Sequence, residues 1–196
     1  MTIIVAVRKG NFAAIAGDLQ TSQGSTIVPG PMRLYPRKIH RVGQAYVGIV
    51  GCIAHHNVFR SLSASKPELL DFKSGDDIFE TLRSIHPLLR EQYYVETNED
   101  DNDQEYESSQ LSGLVISKAG IFSFMSYREV TEYDSFWAAG SGKEFALGAL
   151  EATYASGESA KSIAEIAVTA ACKFDSACGL PLESYELELE AQIQSA

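Results

Sequence analysis

The first eighteen residues constrain the fold most. Thr2-Ile3-Ile4-Val5-Ala6-Val7 is an apolar run of strand length, Phe12-Ala13-Ala14-Ile15-Ala16-Gly17-Asp18 is a second, and Lys9-Gly10-Asn11 between them has the composition of a turn. Strands joined so closely pair antiparallel, and the return brings Asp18 back toward Thr2. The same segment carries the chemistry. Removal of the initiator Met1 leaves a hydroxyl and a free amine on one residue, Thr2. A threonine hydroxyl at its ordinary pKa is a poor nucleophile and needs a neighbouring base. An α-amine, with a reference pKa of about 7.7–8.0, is partly neutral near pH 7 and can serve as that base. A threonine behind a start methionine says nothing alone; its weight comes from the rest of the chain.

At 196 residues the chain fits a single domain over 1–196 that buries a sizeable core without staples. No apolar run approaches a membrane span, and the N-terminus lacks the basic-then-apolar pattern of a secretory signal, so a soluble, cytoplasmic protein is expected. Cys52, Cys172 and Cys178 are odd in number and form no Cys-x-x-Cys motif, which favours free thiols. His40, His55, His56 and His86 show no metal-ligand spacing, and neither a metal nor a cofactor is expected. A net charge of −10 opposes binding to nucleic acid through phosphates and repels acidic unfolded chains.

Along the chain, residues 19–31 are polar and then rich in glycine and proline, a loop with a short strand. Arg33–Val42 and Ala45–Val50 flank Gly43-Gln44 as a second hairpin, whose alternation sends Lys38 and His40 to the face opposite Ile39. Lys38 is then either a site residue or one surface cation among several. Gly51 ends the hairpin, as a plain tight turn or as an unshielded backbone N–H donor. Ala54, Val58, Phe59 and Leu62 follow at helical spacing, and a second helix from about Asp76 carries Ile78, Leu82, Ile85 and Leu89 on one stripe, with a kink expected at Pro87. Acidic residues crowd the stretch after Tyr94, and 96–110 reads as an acidic mobile loop.

Leu111–Ser117 and Ile121–Tyr127 make a further hairpin, followed by strands near Val130 and over 136–139. Gly140-Ser141-Gly142 opens a helix, at whose start Ser141 has the position of a cap. A last helix from Ser159 keeps Ile163, Ile166, Ala167, Ala170, Ala171 and Phe174 on one stripe and ends at Asp175, where the helix dipole disfavours a carboxylate. Glu183–Ile193 closes the chain as an edge strand. This order of strands, two helices, strands, two helices and a final strand is best satisfied by an α+β fold of four layers, an αββα sandwich.

Over nearly its whole length the chain resembles the N-terminal-nucleophile hydrolases of the proteasome β-subunit and HslV family, and most of all an HslV-derived bacterial proteasome homologue. The resemblance rests on Thr2 to Arg8, Ile15-Ala16-Gly17-Asp18, Arg37-Lys38-Ile39, Gly51, Ala138-Ala139-Gly140-Ser141-Gly142, Phe145 to Leu150, and Asp175 to Gly179. It implies a threonine endopeptidase that cleaves unfolded polypeptides. Thr2 would be the nucleophile and its amine the proton shuttle. Lys38 would lower the pKa of the hydroxyl, Asp18 would hold Lys38, Ser141 and Asp175 would complete the network around the amine, and the Gly51 N–H would stabilise the oxyanion. Thr21 and Ser22 would line the substrate strand. Ile49, with Thr21, Pro36 and Ile53, would shape a specificity pocket of apolar character, implying cleavage after hydrophobic residues.

The resemblance further implies stacked homo-oligomeric rings, a dodecamer or tetradecamer, fed by an AAA+ unfoldase. Three features depart from the pattern: Cys178 where many proteasome subunits carry serine, a longer loop before Lys38 with an added Pro29–Pro36 region, and the acidic loop. Two other readings compete: a catalytically silent ring acting as scaffold or binding chamber, and a small-molecule amidase of the same superfamily. The intact set of Thr2, Asp18 and Lys38 argues against the first, and the lack of any extra binding insertion argues against the second.

Overall fold

A computed structural model describes residues 2–97 and 106–190. The chain runs β1 (Ile3–Lys9), β2 (Phe12–Asp18), the short pair β3 (Thr21–Gln23) and β4 (Thr26–Val28), a 3-10 turn at Gly30–Met32, β5 (Ile39–Val42), β6 (Ala45–Val50) and α1 (Ile53–Ser65). After a second 3-10 turn at Pro67–Leu69 come α2 (Gly75–Glu91), β7 (Ser112–Ser117), β8 (Gly120–Phe124), β9 (Val130–Tyr133), β10 (Phe136–Gly140), α3 (Lys143–Tyr154), α4 (Ala160–Phe174) and β11 (Leu182–Glu188).

Two antiparallel sheets face one another. One has the order β10-β1-β2-β11 and the other β5-β6-β7-β8-β9. Strand alternation assigns each side chain to a layer. Ile3, Val5 and Val7 of β1 pack outward with Ala146, Leu150, Ile163, Ala167 and Ala171 of α3 and α4. Ile4 and Ala6 point the other way and meet Leu114, Ile116 and Ile121 between the sheets. On the far side Val47, Ile49, Val115 and Phe122 pack against Phe59 and Leu62 of α1 and Ile78, Leu82 and Ile85 of α2. The result is the expected αββα sandwich. Residues 3–7 carry an unbroken apolar run because both faces of their strand are covered.

Local chemistry sets the helix ends. Ser74 and Ser159 cap α2 and α4 by accepting from the amides of Asp77 and Ser162. Pro87 does not end α2. Proline removes one helical hydrogen bond, but Pro87 and Arg83, whose carbonyl would have accepted it, are both exposed, so water can satisfy the freed oxygen. The expected strand over Arg33–Val42 is shorter than its pattern suggests. It begins at Ile39, because the amides of Lys38 and Ile39 donate to the Glu183 carboxylate at 2.6 and 3.0 Å, and Pro36 has no amide to offer.

The acidic stretch falls mainly on residues 98–105, outside the described residues. Its flanks are packed. The amide of Ser108 donates to Thr97 O at 2.9 Å, and Glu107 joins His86 and Arg90 of α2. Ile193, the expected end of the last strand, also lies outside the described residues.

Candidate active site

Asp18 is the hub. The β1–β2 register places Ile4 opposite Gly17, so the carboxylate of the next residue reaches back to the start of the chain. Its Oδ1 accepts from Thr2 Oγ1 at 2.9 Å, from the Ile3 amide at 3.0 Å and from Lys38 Nζ at 2.7 Å, while Oδ2 accepts from the Gly179 amide at 3.1 Å. Thr2, Asp18 and Lys38 are all buried, at 1%, 0% and 3% exposure, so these bonds are screened little by solvent. Thr2 Oγ1 and Lys38 Nζ share one oxygen and lie no further apart than those two bonds laid end to end. Burial lowers the Lys38 pKa, and the Asp18 charge and hydrogen bond oppose that fall. The lysine is therefore paired yet poised to release its proton more readily than a surface lysine.

Ser141 is not a helix cap. Gly142 occupies that place, and Ser141 turns to Thr2: its amide donates to Thr2 O at 2.9 Å and its hydroxyl lies 3.4 Å from the same oxygen. The close approach depends on Gly140, which has φ +111°, and a Cβ built there would lie 2.1 Å from Thr2 O. Gly140→Ala is therefore expected to cost roughly 1–3 kcal/mol in backbone strain alone, read as a lower urea midpoint, and to displace Thr2.

Asp175 ends α4 and turns its carboxylate inward. Oδ1 accepts from the Ala177 amide at 2.9 Å and Oδ2 from Cys178 Sγ at 3.2 Å. Burial pushes the Asp175 carboxyl up, but the Ala177 amide, Ser141 and Cys178 outweigh it and hold the pKa below the ordinary value. Cys178 Sγ also sits 3.7 Å from Ser141 Oγ. Burial, Asp18 and Asp175 push this thiol up to about 12. It is a proton donor to Asp175 here. Cys172 is likewise pushed up to about 12, chiefly by burial, whereas Cys52 is exposed. Iodoacetamide at pH 8 is expected to alkylate one thiol of the native protein, Cys52, with the other two reacting only after unfolding, as read by intact and peptide mass.

Gly51 follows β6, is exposed, and has φ +118° with the His55 ring against it. Thr21 and Ser22 lie half-buried on β3, Pro36 is half-buried beside Lys38, and Ile53 is 42% exposed at the start of α1. Ile49 differs from these. It has no exposed surface and packs with Val47, Phe59 and Leu62 in the core beneath α1, so within a single chain it presents nothing to a substrate. Two contributors have no local sequence signal. Gly179, just ahead of β11, gives its amide to Asp18, and Glu183, one of a run of glutamates on β11, fixes the Lys38 backbone and is placed by the pairing of β11 with β2. Among the described residues no cluster of three or more His, Cys, Asp and Glu side chains has a metal-holding arrangement, and no helix is long and apolar enough to cross a membrane.

Residues 2–180 match the sequence model of the family described as Proteasome subunit. The chain belongs to the proteasome subunit family. Among solved structures, Thiobacillus denitrificans BPH is 34% identical with a TM-score of 0.88, the match covering 96% of this chain and 99% of that one. The structure of Thiobacillus denitrificans BPH in complex with epoxomicin gives 34% and 0.87, covering 97% and 100%. HslV from Trypanosoma brucei, at 21% identity and TM-score 0.66 over 95% and 99%, is similar in fold. In this proteasome subunit the fold and the hub on Asp18 thus occur in one chain with a bacterial proteasome homologue as a relative.

Proposed function

We propose that this proteasome subunit is a self-compartmentalising threonine endopeptidase that cleaves unfolded polypeptides through Thr2. The observation that carries the reading is the shared oxygen of Asp18, which holds the Thr2 hydroxyl and the Lys38 ammonium beside one another in a site closed to solvent. A relative solved with epoxomicin supports it.

Met1 lies outside the described residues, and while it is attached the Thr2 nitrogen belongs to a peptide bond. Its removal frees the amine. That amine takes the proton of Thr2 Oγ1 as the oxygen attacks a peptide carbonyl, with Lys38 stabilising the developing alkoxide. The tetrahedral oxyanion is met by the Gly51 N–H. Collapse passes the proton from the ammonium to the leaving amine and leaves an ester on Thr2, which water hydrolyses with the amine again as base. Ser141, Asp175 and Cys178 orient the amine from the far side. The assembly expected for this activity is a pair of stacked homo-oligomeric rings in the cytoplasm, supplied with unfolded chains by an AAA+ unfoldase.

The test is intact mass after treatment with a peptide epoxyketone. One adduct on the Met1-free chain, absent from Thr2→Ala, is the expected result. Processed, ring-assembled protein that takes no adduct and cleaves no unfolded protein would instead be a silent chamber.

A further inference from the structure

Beside Lys38 lies a cleft of about 480 Å³ between β5 and α1, and its lining is cationic. Arg33, Arg37, Arg41 and Arg60 border it together with His40 and His56, and no carboxylate does. In a chain of net charge −10 this local excess is unusual. None of the four guanidinium groups forms an ion pair among the described residues. Arg33 donates to Tyr35 O at 3.1 Å, Arg41 to Gly43 O at 3.2 Å, and Arg60 lies 4.6 Å over the Tyr35 ring with a long contact to Asn57. The Glu183 carboxylate, which reaches the start of β5 from β11, is already occupied by the amides of Lys38 and Ile39 and by the Tyr185 hydroxyl.

The imidazoles point the same way. His40 and His56 sit with ring centroids 6.1 Å apart, and His40 Nε2 and His56 Nδ1 are buried without a hydrogen-bond partner. A buried polar atom left unpaired is costly and calls for an explanation, which an acceptor-rich ligand supplies. Burial, His40, Lys38 and Arg33 push His56 down to about 3, and burial with Arg60 pushes His40 down to about 4. Both rings are neutral near pH 7, chiefly because they are buried and secondarily because positive groups surround them, and a neutral imidazole can still donate an N–H.

We infer that this cleft is an anion-selecting subsite, which takes the side-chain carboxylate of the aspartate or glutamate directly preceding the bond that Thr2 attacks. The inference rests on the peptidase reading above and reverses the apolar preference expected from Ile49, which is sealed in the core. Arg37, Ile39 and His40 flank Lys38 in sequence and line the cleft, as does Pro36, which the resemblance places at the specificity pocket. Guanidinium groups suit a carboxylate because their donors match its two oxygens. The net negative charge of the chain repels acidic polypeptides as a whole, so discrimination in favour of one carboxylate arises locally.

The test uses processed, assembled protein and three fluorogenic peptides that differ only in the residue before the reporter: glutamate, leucine or lysine. The expected result is a kcat/KM for glutamate about tenfold or more above leucine, with lysine the poorest. Arg60→Glu, at an exposed position, and separately Arg33→Glu are each expected to lower the glutamate-to-leucine ratio about tenfold, whereas Arg60→Lys keeps most of it. A leucine peptide cleaved as well as or better than the glutamate peptide, by protein whose Thr2 takes the epoxyketone, overturns the inference and leaves the peptidase reading intact. No turnover of any peptide together with no Thr2 adduct removes both.

Discussion

Asp18→Ala is expected to abolish detectable peptidase activity and to lower stability by about 3–5 kcal/mol, the range for breaking a buried ion pair. Four donors converge on this carboxylate: the Thr2 hydroxyl, the Ile3 amide, Lys38 Nζ and the Gly179 amide. Truncation leaves all four without that acceptor and strands an ammonium group that is 3% exposed. Against a total stability of ~5–15 kcal/mol for a typical domain, the loss is large. Thermal unfolding at fixed protein concentration should show it as a drop of roughly 6–20 °C.

A double change separates folding from chemistry. Asp18→Asn with Lys38→Met removes both charges at similar volume and is expected to recover most of the lost stability and none of the activity. If Asp18→Ala melts with the parent protein, the carboxylate is not the structural hub described above.

The second large effect concerns the nucleophile. Thr2→Ala should lower kcat/KM by at least about 10³-fold, whereas Thr2→Ser, which keeps a hydroxyl on the residue bearing the amine, should retain measurable turnover. Protein that retains Met1 should be as silent as Thr2→Ala although every side chain is present, because the base is then one residue away from the hydroxyl it must deprotonate. Thr2→Ala loses only one side-chain hydrogen bond to Asp18, so its melting temperature should stay far closer to the parent than that of Asp18→Ala. Substantial peptide cleavage by Met1-retaining protein, verified by mass, would exclude the terminal amine as base.

Much of the fold was legible because its signals are local. The β1–β2 hairpin followed from two apolar runs around Lys9-Gly10-Asn11, and α4 followed from the spacing of Ile163 to Phe174, although its buried face is Ile163, Ala164, Ala167, Val168 and Ala171, while Ile166 and Phe174 of the expected buried stripe are exposed. The strand expected from Arg33 was less legible. Its first six residues give way to irregular chain because Pro36 lacks an amide and a distant carboxylate, Glu183, captures the amides of Lys38 and Ile39. The position of Ser141 suggested a helix cap, yet the residue that binds it is Thr2, 139 positions earlier.

The specificity pocket was the least legible. Its apolar reading came from the resemblance, through Ile49 with Thr21, Pro36 and Ile53; the packing of α1 over β6 covers the Ile49 side chain, and arginines and histidines line the neighbouring cleft.

By itself the sequence determined the layers, the hairpins and the proximity of Thr2 to Asp18, since strand period, turn composition and short-range register act over a few residues. Only the tertiary structure decided that the Gly179 amide joins Lys38 at that carboxylate, that Glu183 holds the Lys38 backbone, and that an acidic chain gathers positive charge nearby. Those contacts join segments separated by up to 161 positions, and what brings them together is the stacking of two sheets and the pairing of β11 with β2.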